Sequence, residues 1–435
     1  MNSFKVSKLL LLVVVILTPT LSYISNFLGA YIKFMDDIII LFLLFYLFPI
    51  KITSLDVYPF SLIKLIIFFL IISFLSAIVN YDNFDLISYL VQLKNYFFTF
   101  AIFLFAVFLY DERYFKSIVK LYLFLSFILA FIGILEYIFE YHFYKRLTPF
   151  GDILAINPFR SYSLIGNPVD FAFYLILPFI ISIMNKRYFL SFFFLISIGT
   201  TLSLGVLSII FVLSFVAVIS KTLNKKIFIL IIIISSFFVL NNETINSRIL
   251  GKIEKAKFSS YNEEASRLNF YRQSLDILKD NILVGVGVGN FGGWASQDQN
   301  TVYQSQRKNY VYEKYNFKFY SLTSIDVFYP HLLGEIGLFG FLIYLNFYFK
   351  IIIKTYRISK YFIKTNDSYG YIISVSTYLY GIALLYSGFW SMFLETSFAT
   401  IVYFFLSGYI HKYFENRKIK FDNKNMKNIN INEII

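Results

Sequence analysis

Two residues that could act together on a proton lie four positions apart in the C-terminal part of the chain. His331 follows Pro330, and Glu335 comes four residues later in an apolar run that predicts a helix. Residues at this separation share one helix face. A histidine oriented by a carboxylate can serve as a general base, although the same spacing also suits a plain hydrogen-bonded pair. Of the three histidines in the chain, His331 is the candidate base.

Two arginines precede this pair in a segment, residues 264–281, that predicts an amphipathic helix. Arg267 and Arg272 are five residues apart, so they should lie on different helix faces. A guanidinium matches phosphate geometry through its rigid fork of donors. Either arginine could therefore bind phosphate, and a merely solvated arginine is the alternative, which we favour for Arg272. The predicted apolar face consists of Leu268, Tyr271, Leu275 and Leu278.

A glycine-rich stretch, residues 285–293, follows the predicted helix. Gly287, Gly289 and Gly292 fit the pattern G-x-G-x-x-G, but no βαβ unit surrounds them, so a dinucleotide site is not indicated. We expect a tight loop whose backbone closely approaches a neighbouring segment. A second row of glycines should allow close helix packing: Gly334, Gly337 and Gly340.

The composition indicates the class of protein that positions these residues. The 435 residues are 58% hydrophobic and only 15% charged, with a mean hydropathy of +0.67. Soluble domains carry about 25% charged residues, so this chain should be an integral membrane protein. The net charge of +13 could suggest a nucleic-acid partner, but the basic residues lie in short turns between apolar runs, as the positive-inside rule predicts. Without cysteine, thiol and disulfide chemistry are excluded.

The apolar runs predict an all-α polytopic membrane protein with about twelve spans and both termini in the cytoplasm. One large outer loop, residues 241–326, should separate nine N-terminal spans (1–240) from three C-terminal spans (327–410) and a cytoplasmic tail (411–435). The seventh and eighth runs could be two full passes or a re-entrant hairpin. The runs lie near 8–24, 33–50, 60–79, 96–110, 117–138, 169–184, 188–202, 203–220, 226–240, 327–349, 370–388 and 390–410.

Four carboxylates fall inside these predicted spans, where ionisable groups are costly and are candidates for function. Each of them alone could be explained by hydrogen bonding between helices. All four lie near the predicted outer ends of their spans, which favours a site at the outer membrane surface over a midplane transport site. They are Glu136, Asp170, Glu335 and Glu395. Asp170 and Glu395 are secondary candidates beside the His331–Glu335 pair.

Several motifs, in this order, resemble the O-antigen ligase/polymerase superfamily of bacterial inner-membrane glycan enzymes. Ser266-Arg267-Leu268 is similar to the family's arginine-led helix. Residues 280–291 resemble its stretch "D-x-P-l-x-G-x-G-x-G-n-f". Residues 331–340 resemble "H-n-x-x-l-x-x-x-x-E-x-G-l-x-G", and Asn167-Pro168 resembles its "N-P-N" segment. The resemblance is detailed over residues 155–350.

The chain also departs from the family pattern. Ile282 replaces the usual proline, and Leu332 replaces the asparagine that commonly follows the histidine. The family often has "S-R-G" near the hairpin of spans seven and eight, where this chain has Ser203-Leu204-Gly205. A phosphate-binding arginine is therefore missing there, and Arg160 in the preceding outer loop is a possible substitute.

The resemblance implies a glycan donor on undecaprenyl pyrophosphate and a site at the periplasmic face of the inner membrane. The implied reaction is attack by an acceptor hydroxyl on the anomeric carbon. It needs no metal or cofactor if Arg267, Arg160 and Arg272 stabilise the leaving pyrophosphate. The expected partners are this lipid-linked oligosaccharide, membrane lipid, and a chain-length regulator and flippase, but no nucleic acid.

Three functions remain open from the sequence. A polymerase would transfer the glycan to a lipid-linked repeat unit, making O-antigen or capsule, and the missing arginine at Leu204 favours it. A ligase would transfer the glycan to lipid A–core. A transporter or flippase of polysaccharide precursors is disfavoured because no internal repeat is evident.

Overall fold

The computed structural model describes residues 57–81, 84–108, 110–139, 160–161, 163–165, 167–219, 267–291, 327–392, 394 and 398–432. Within these residues every regular element is helical and no strand occurs. A short 3₁₀ turn at Ser163–Ile165 separates α3 from α4. The helices are α1 (Val57–Val79), α2 (Leu86–Phe108), α3 (Glu112–Ile138), α4 (Pro168–Met184), α5 (Tyr188–Thr200), α6 (Leu204–Ile219), α7 (Arg267–Asp280), α8 (Phe328–Lys364), α9 (Ser368–Ser387) and α10 (Phe398–Asn432).

The prediction of a helical membrane protein is confirmed in outline. Among the described residues, four helical segments are long and apolar enough to cross a membrane: Ser61–Val79 in α1, α3, α8 and α9. A fifth span is formed by α2 if its two parts, bent by 45°, are counted together. The predicted spans at 8–24, 33–50 and 226–240 lie outside the described residues, as does most of the loop 241–326, so the twelve-span topology stays a prediction.

Residues 188–220 form two helices, as predicted, with a tight turn at Thr201–Ser203 between α5 and α6. α5 has 13 residues, which gives a length of about 20 Å at 1.5 Å per residue. The hydrocarbon of a bilayer is about 30 Å thick. α5 is therefore too short for an ordinary full pass, and the re-entrant hairpin is the favoured alternative.

Two helices, α3 and α4, are capped by the side chain of the residue that precedes them. Asn167 accepts a hydrogen bond from the Val169 N–H and caps α4, with Pro168 in the first turn. Asp111 caps α3 by accepting from the Arg113 N–H, and hydrogen bonds from the Arg113 guanidinium lower the pKa of its carboxyl. Such caps satisfy backbone donors that would otherwise be exposed to lipid.

The core of the bundle is rich in aromatic side chains from helices far apart in sequence. α8 contacts α1, α7 and α9, while α10 lies against α2. Phe100 of α2 packs edge-on against Phe347 of α8 with ring centroids 4.1 Å apart. The rings of Phe69 of α1 and Tyr344 of α8 are tilted against each other, with centroids 5.7 Å apart. α1, α2 and α8 therefore form one packed unit around the start of α8.

α8 is one element of 37 residues, but its backbone is broken at Gly337, which has φ +66° and ψ −169°. The glycine row predicts close helix packing, but Gly337 breaks the helix, and the segment packed against it is the glycine-rich loop. The conformation of Gly337 belongs to the left-handed half of backbone space, which a glycine adopts without strain from a Cβ. The break separates a short first segment, which carries His331 and Glu335, from the long segment that ends at Lys364.

α7 confirms the helix predicted at 264–281, although the predicted apolar face is wrong at Leu275, which is exposed. The buried face instead consists of Phe270, Ser274 and Ile277. Phe270 and Ile277 form a small core with two residues of the glycine-rich stretch and the residue before α8: Val286, Phe291 and Val327. Tyr271 of the predicted face packs against this core, while the side chain of Leu268 lies outside the described residues.

Candidate functional site

The carboxylate of Glu335 is the centre of a fully buried polar cluster. Its Oε1 lies 3.0 Å from Nε2 of His331, one helical turn before it. The same oxygen accepts the backbone N–H of Gly289 at 2.9 Å. The other oxygen, Oε2, accepts the hydroxyl of Tyr96 from α2, also at 2.9 Å. Three donors thus converge on one carboxylate, which is the arrangement that stabilises a buried negative charge.

The glycine-rich loop replaces hydrogen bonds that the break at Gly337 removes from α8. In a regular helix the carbonyl of Gly334 would accept the N–H of Leu338. Here that N–H donates to the carbonyl of Ile282 at 2.8 Å, and the Gly334 carbonyl accepts the N–H of Val286 at 2.9 Å. The helix break and the loop are therefore one unit, because each satisfies the backbone groups of the other.

This close approach requires glycine at two facing positions. Gly285 has φ +64°, and a Cβ there would lie 2.6 Å from the carbonyl carbon of Glu335. At Gly337 a Cβ would lie 2.6 Å from the carbonyl carbon of Leu283. Both neighbours are backbone atoms, which cannot rotate away. The expectation of a tight loop that approaches a neighbouring backbone is confirmed.

α1 holds the loop from the other side. The Ser76 hydroxyl lies 2.6 Å from the carbonyl of Val284 and 3.3 Å from that of Glu335. The side-chain amide of Asn80 donates to the carbonyl of Gly285 at 3.2 Å. The first segment of α8 is thus fixed by α1, α2 and the loop together. The backbone that carries His331 and Glu335 is therefore held by contacts on several sides.

The hydrogen bond to Glu335 defines the tautomer in which His331 could act as a base. A carboxylate can only accept, so in the tautomer that suits a base Nε2 of His331 donates to Glu335 and Nδ1 is the basic nitrogen of the ring. The ring lies beside Tyr96, with centroids 6.2 Å apart. Because both side chains of the pair are fully buried, a hydroxyl can reach His331 only after neighbouring side chains move.

A second polar cluster surrounds Arg160 at the turn between α5 and α6. Nε of Arg160 donates to the carbonyl of Thr201 at 2.7 Å. The N–H of Ser161 donates to the carbonyl of Thr200 at 3.2 Å, and their hydroxyls are also in contact. Arg160 therefore lies against the hairpin three residues before Leu204, the position at which the motifs lack an arginine.

The chain around residue 390 connects the two clusters. The N–H of Tyr329, at the start of α8, donates to the carbonyl of Gly388 at 3.3 Å. The Trp390 ring covers Gly205 at the start of α6, where a Cβ would meet it at 2.8 Å. The Tyr271 hydroxyl of α7 donates to the Phe389 carbonyl at 2.9 Å. The His331 pair, the Arg160 hairpin and α7 therefore lie at the same end of the bundle.

A sequence model of the family described as "O-Antigen ligase" matches residues 188–345. This match supports the O-antigen ligase/polymerase superfamily. The matched residues contain the α5–α6 hairpin, α7, the glycine-rich loop and the His331–Glu335 pair. No curated protein matches the chain with significant similarity. For an O-antigen ligase-like domain, the polar cluster around Glu335 is the candidate active site.

The structure describes the remaining predicted site residues to different extents. Arg272 is exposed on α7. Asp170 is partly buried in the first turn of α4. α7 begins at Arg267, but the side chain of that residue and the whole of Glu395 lie outside the described residues. Their predicted roles stay predictions.

Glu136 has a structural partner in the Arg160 cluster. It is fully buried in α3, and its Oε2 accepts the N–H of Ser163 at 2.7 Å. Ser163 has φ +51°, and its own hydroxyl donates to the carbonyl of Leu129 at 2.8 Å. Glu136 therefore holds the segment that follows Arg160 in place, which agrees with the alternative of hydrogen bonding between helical elements.

Tyr96 is the principal site residue that the sequence did not indicate. It stands 239 positions before Glu335, in an apolar span where tyrosine is also common as a packing residue. Within the described residues, no three His, Asp or Glu side chains come together as metal ligands would. The prediction of a metal-independent reaction stays a prediction.

Proposed function

We propose that the chain is a bacterial surface-polysaccharide polymerase. It would transfer a glycan from undecaprenyl pyrophosphate to a lipid-linked repeat unit at the periplasmic face of the inner membrane, building O-antigen or capsule. The observation that carries the proposal is the buried Glu335 carboxylate, which orients His331 within the region matched by the O-antigen ligase family.

In the proposed reaction, an acceptor hydroxyl oxygen forms a bond to the anomeric carbon of the donor glycan. The bond from that carbon to the pyrophosphate oxygen breaks, and its electron pair leaves with the lipid pyrophosphate. Nδ1 of His331 accepts the hydroxyl proton, while Glu335 stabilises the imidazolium through Nε2. Tyr96 and Gly289 are positioning residues, because they bind Glu335 and not the substrate.

Arginines are proposed to stabilise the negative charge on the leaving pyrophosphate without a metal ion or cofactor. Arg160 is supported by its position at the α5–α6 hairpin, next to Leu204. Arg267 stands at the first residue of α7, a helix that contacts the residue 388–390 segment. Arg272 is the weakest candidate because it is exposed on the outer part of that helix.

The second candidate is an O-antigen ligase, which would use the same donor and chemistry but transfer to lipid A–core. The family match supports both functions equally. Leu204 in place of an arginine is the sequence observation that favours the polymerase. A transporter of precursors is a weaker third alternative, since the polar clusters lie at one end of the bundle and not at its centre.

A polymerase of this kind would work beside a flippase and a chain-length regulator, with membrane lipid as its solvent. Deletion of the gene followed by analysis of the surface glycan separates the candidates. A lost polymerase should leave single-repeat lipopolysaccharide or short capsule. A lost ligase should leave full-length chains on undecaprenyl pyrophosphate, and that result would contradict the polymerase.

The proposed phosphate contact can be tested with Arg160→Lys, which keeps the charge but removes the planar fork. We expect strongly reduced chain growth, because lysine cannot bind the Thr201 carbonyl and a phosphate in the same geometry. Arg272→Lys is the comparison and should reduce chain growth much less, because Arg272 is exposed on α7. If both variants keep wild-type chain length, Arg160 has no role in binding the pyrophosphate. Arg267→Lys would then be the next variant to measure.

A further inference from the structure

Two large aliphatic side chains are exposed in the turn that links α7 to the glycine-rich loop. Ile282 is 53% exposed and Leu283 is 55% exposed. The following residues, Gly285–Gly289, are buried against α8. One side of the turn thus contacts the site, and its other side carries apolar surface that is exposed in the part of the chain that the structure describes.

The exposed pair continues an apolar stripe on α8. The carbonyl of Ile282 accepts the N–H of Leu338, just after the break, at 2.8 Å. Phe339 and Leu342 are 50% and 51% exposed on the outside of α8. Because α8 is long and apolar enough to cross a membrane, this outward stripe faces lipid. It continues along the helix to Phe349 and Ile353, each 47% exposed.

Charged residues begin where the turn meets α7. Lys279 and Asp276 form an exposed ion pair at 2.6 Å, and Asp280 ends the helix. A sharp change from exposed aliphatic to exposed charged side chains is typical of a segment at the boundary between hydrocarbon and headgroups. The boundary therefore falls between Lys279 and Ile282.

We propose that Ile282 and Leu283 insert into the bilayer leaflet at the His331 end and anchor the glycine-rich loop in lipid. The occupant of this surface is the hydrocarbon of the membrane, because the surface is continuous with the lipid-facing stripe of α8. The anchored loop donates the Gly289 N–H to Glu335, so the depth of the site in the membrane is fixed by this contact. The inference depends on the fold alone and not on the reaction.

The chain has no cysteine, so single cysteines can be introduced without a background. Ile282→Cys and Leu283→Cys would be labelled with a nitroxide in the full chain, reconstituted in phosphatidylglycerol and phosphatidylethanolamine vesicles. Collision rates with oxygen, which concentrates in hydrocarbon, and with a water-soluble nickel chelate report the depth. Lys279→Cys is the water-exposed control, and Leu342→Cys is the lipid-facing control.

We expect labels at 282 and 283 to behave like the label at 342, with frequent oxygen collisions and few nickel collisions. Nickel collisions as frequent as at 279 would show that the turn faces water and would overturn the proposal. Low collision rates with both reagents would show that protein, such as a second copy of the chain, covers the turn, and would also overturn it. Since both side chains are more than half exposed, the substitutions remove little packing. Quenching of a fluorophore at residue 283 by acyl-labelled lipids provides an independent measurement.

Discussion

Within the described residues two histidines are buried, and their surroundings differ in a way that separates chemistry from packing. His331 is bound by a carboxylate, and the backbone beside it is broken at Gly337. His411 of α10 lies 2.9 Å from the hydroxyl of Thr355, which donates its proton to the carbonyl of Ile351. That hydroxyl therefore accepts from Nε2 of His411, so this side of the ring is bound by a hydroxyl and not by a carboxylate.

The backbone around the two histidines differs as much as their partners. Near His411 the helices α8 and α10 are regular, and the Phe103 ring packs edge-on against the imidazole at 5.3 Å. Near His331 the helix hydrogen bonds are replaced by hydrogen bonds to the glycine-rich loop, and the Glu335 carboxyl group is buried among hydrogen-bond donors. Irregular backbone and buried ionisable groups are found preferentially at functional sites. We therefore expect substitutions at the two histidines to have different consequences.

The largest expected effect is that of His331→Ala. Removing a general base should reduce transfer by about 10²–10⁴-fold, so surface glycan should show no chain growth. The protein should still insert and accumulate, since Tyr96 and Gly289 continue to bind Glu335. Glycan chain length and the amount of protein in the membrane are the measurements. Normal chain length with stable protein would exclude His331, and Asp170 or Glu395 would become the leading candidate base.

Gly337→Ala should have the next largest effect. Alanine at φ +66° is strained, and its Cβ would meet the backbone of Leu283 at 2.6 Å, so the glycine-rich loop cannot dock. Loss of the Gly289 N–H from Glu335 should reduce both activity and thermal stability. Gly340→Ala is the control for crowding without left-handed backbone, because its Cβ would meet Cβ of Ile336 at 2.7 Å while Gly340 has no positive φ. Equal losses in the two variants would show that general packing, not loop docking, is affected.

Tyr96→Phe tests the positioning of the carboxylate from α2. Leaving one oxygen of a buried carboxylate without its donor costs about 1–3 kcal/mol, and we expect roughly a tenfold lower rate, since 1.4 kcal/mol corresponds to a factor of ten. A positioning role should appear in the rate and its pH profile more than in substrate affinity. Tyr348→Phe is the control: it removes a buried hydroxyl that lies 3.3 Å from the Leu394 carbonyl and 3.4 Å from the Tyr344 hydroxyl. That hydroxyl is not one of the donors to the carboxylate described above, so its loss should leave the rate and pH profile unchanged. The same loss in both variants would argue against a role for Tyr96.

Glu335→Gln should have the smallest effect of the four. The amide oxygen can accept from His331 and Gly289, and the amide nitrogen can donate to the Tyr96 hydroxyl. The geometry is kept, while the stabilisation of an imidazolium is lost. We expect shorter but detectable glycan chains. A loss as complete as in His331→Ala would mean that the negative charge, and not orientation, is the principal contribution of Glu335.

Local patterns in the sequence predicted the His331–Glu335 pair, whereas the groups that bind this pair come from distant segments of the chain. The His331–Glu335 pair follows from a spacing of four residues on one helix. The contact of Tyr96 could not be predicted in this way, because nothing in a single sequence relates α2 to the first segment of α8. Gly337 was assigned to packing, since a glycine row looks the same whether a helix packs closely or breaks. Arg160 was suggested by the missing arginine at Leu204, and the structure places it at that hairpin.

The central claim is that the His331 end of the molecule performs chemistry, whereas the His411 end is structural. The most direct test is transfer by purified, reconstituted protein with a lipid-pyrophosphate-linked glycan, comparing His331→Gln with His411→Gln. Glutamine fills a similar space and keeps one hydrogen bond in each case, so both variants should fold. We predict that His331→Gln loses transfer by at least about 10²-fold while His411→Gln retains near wild-type rates. Comparable transfer rates in the two variants would contradict a chemical role for His331.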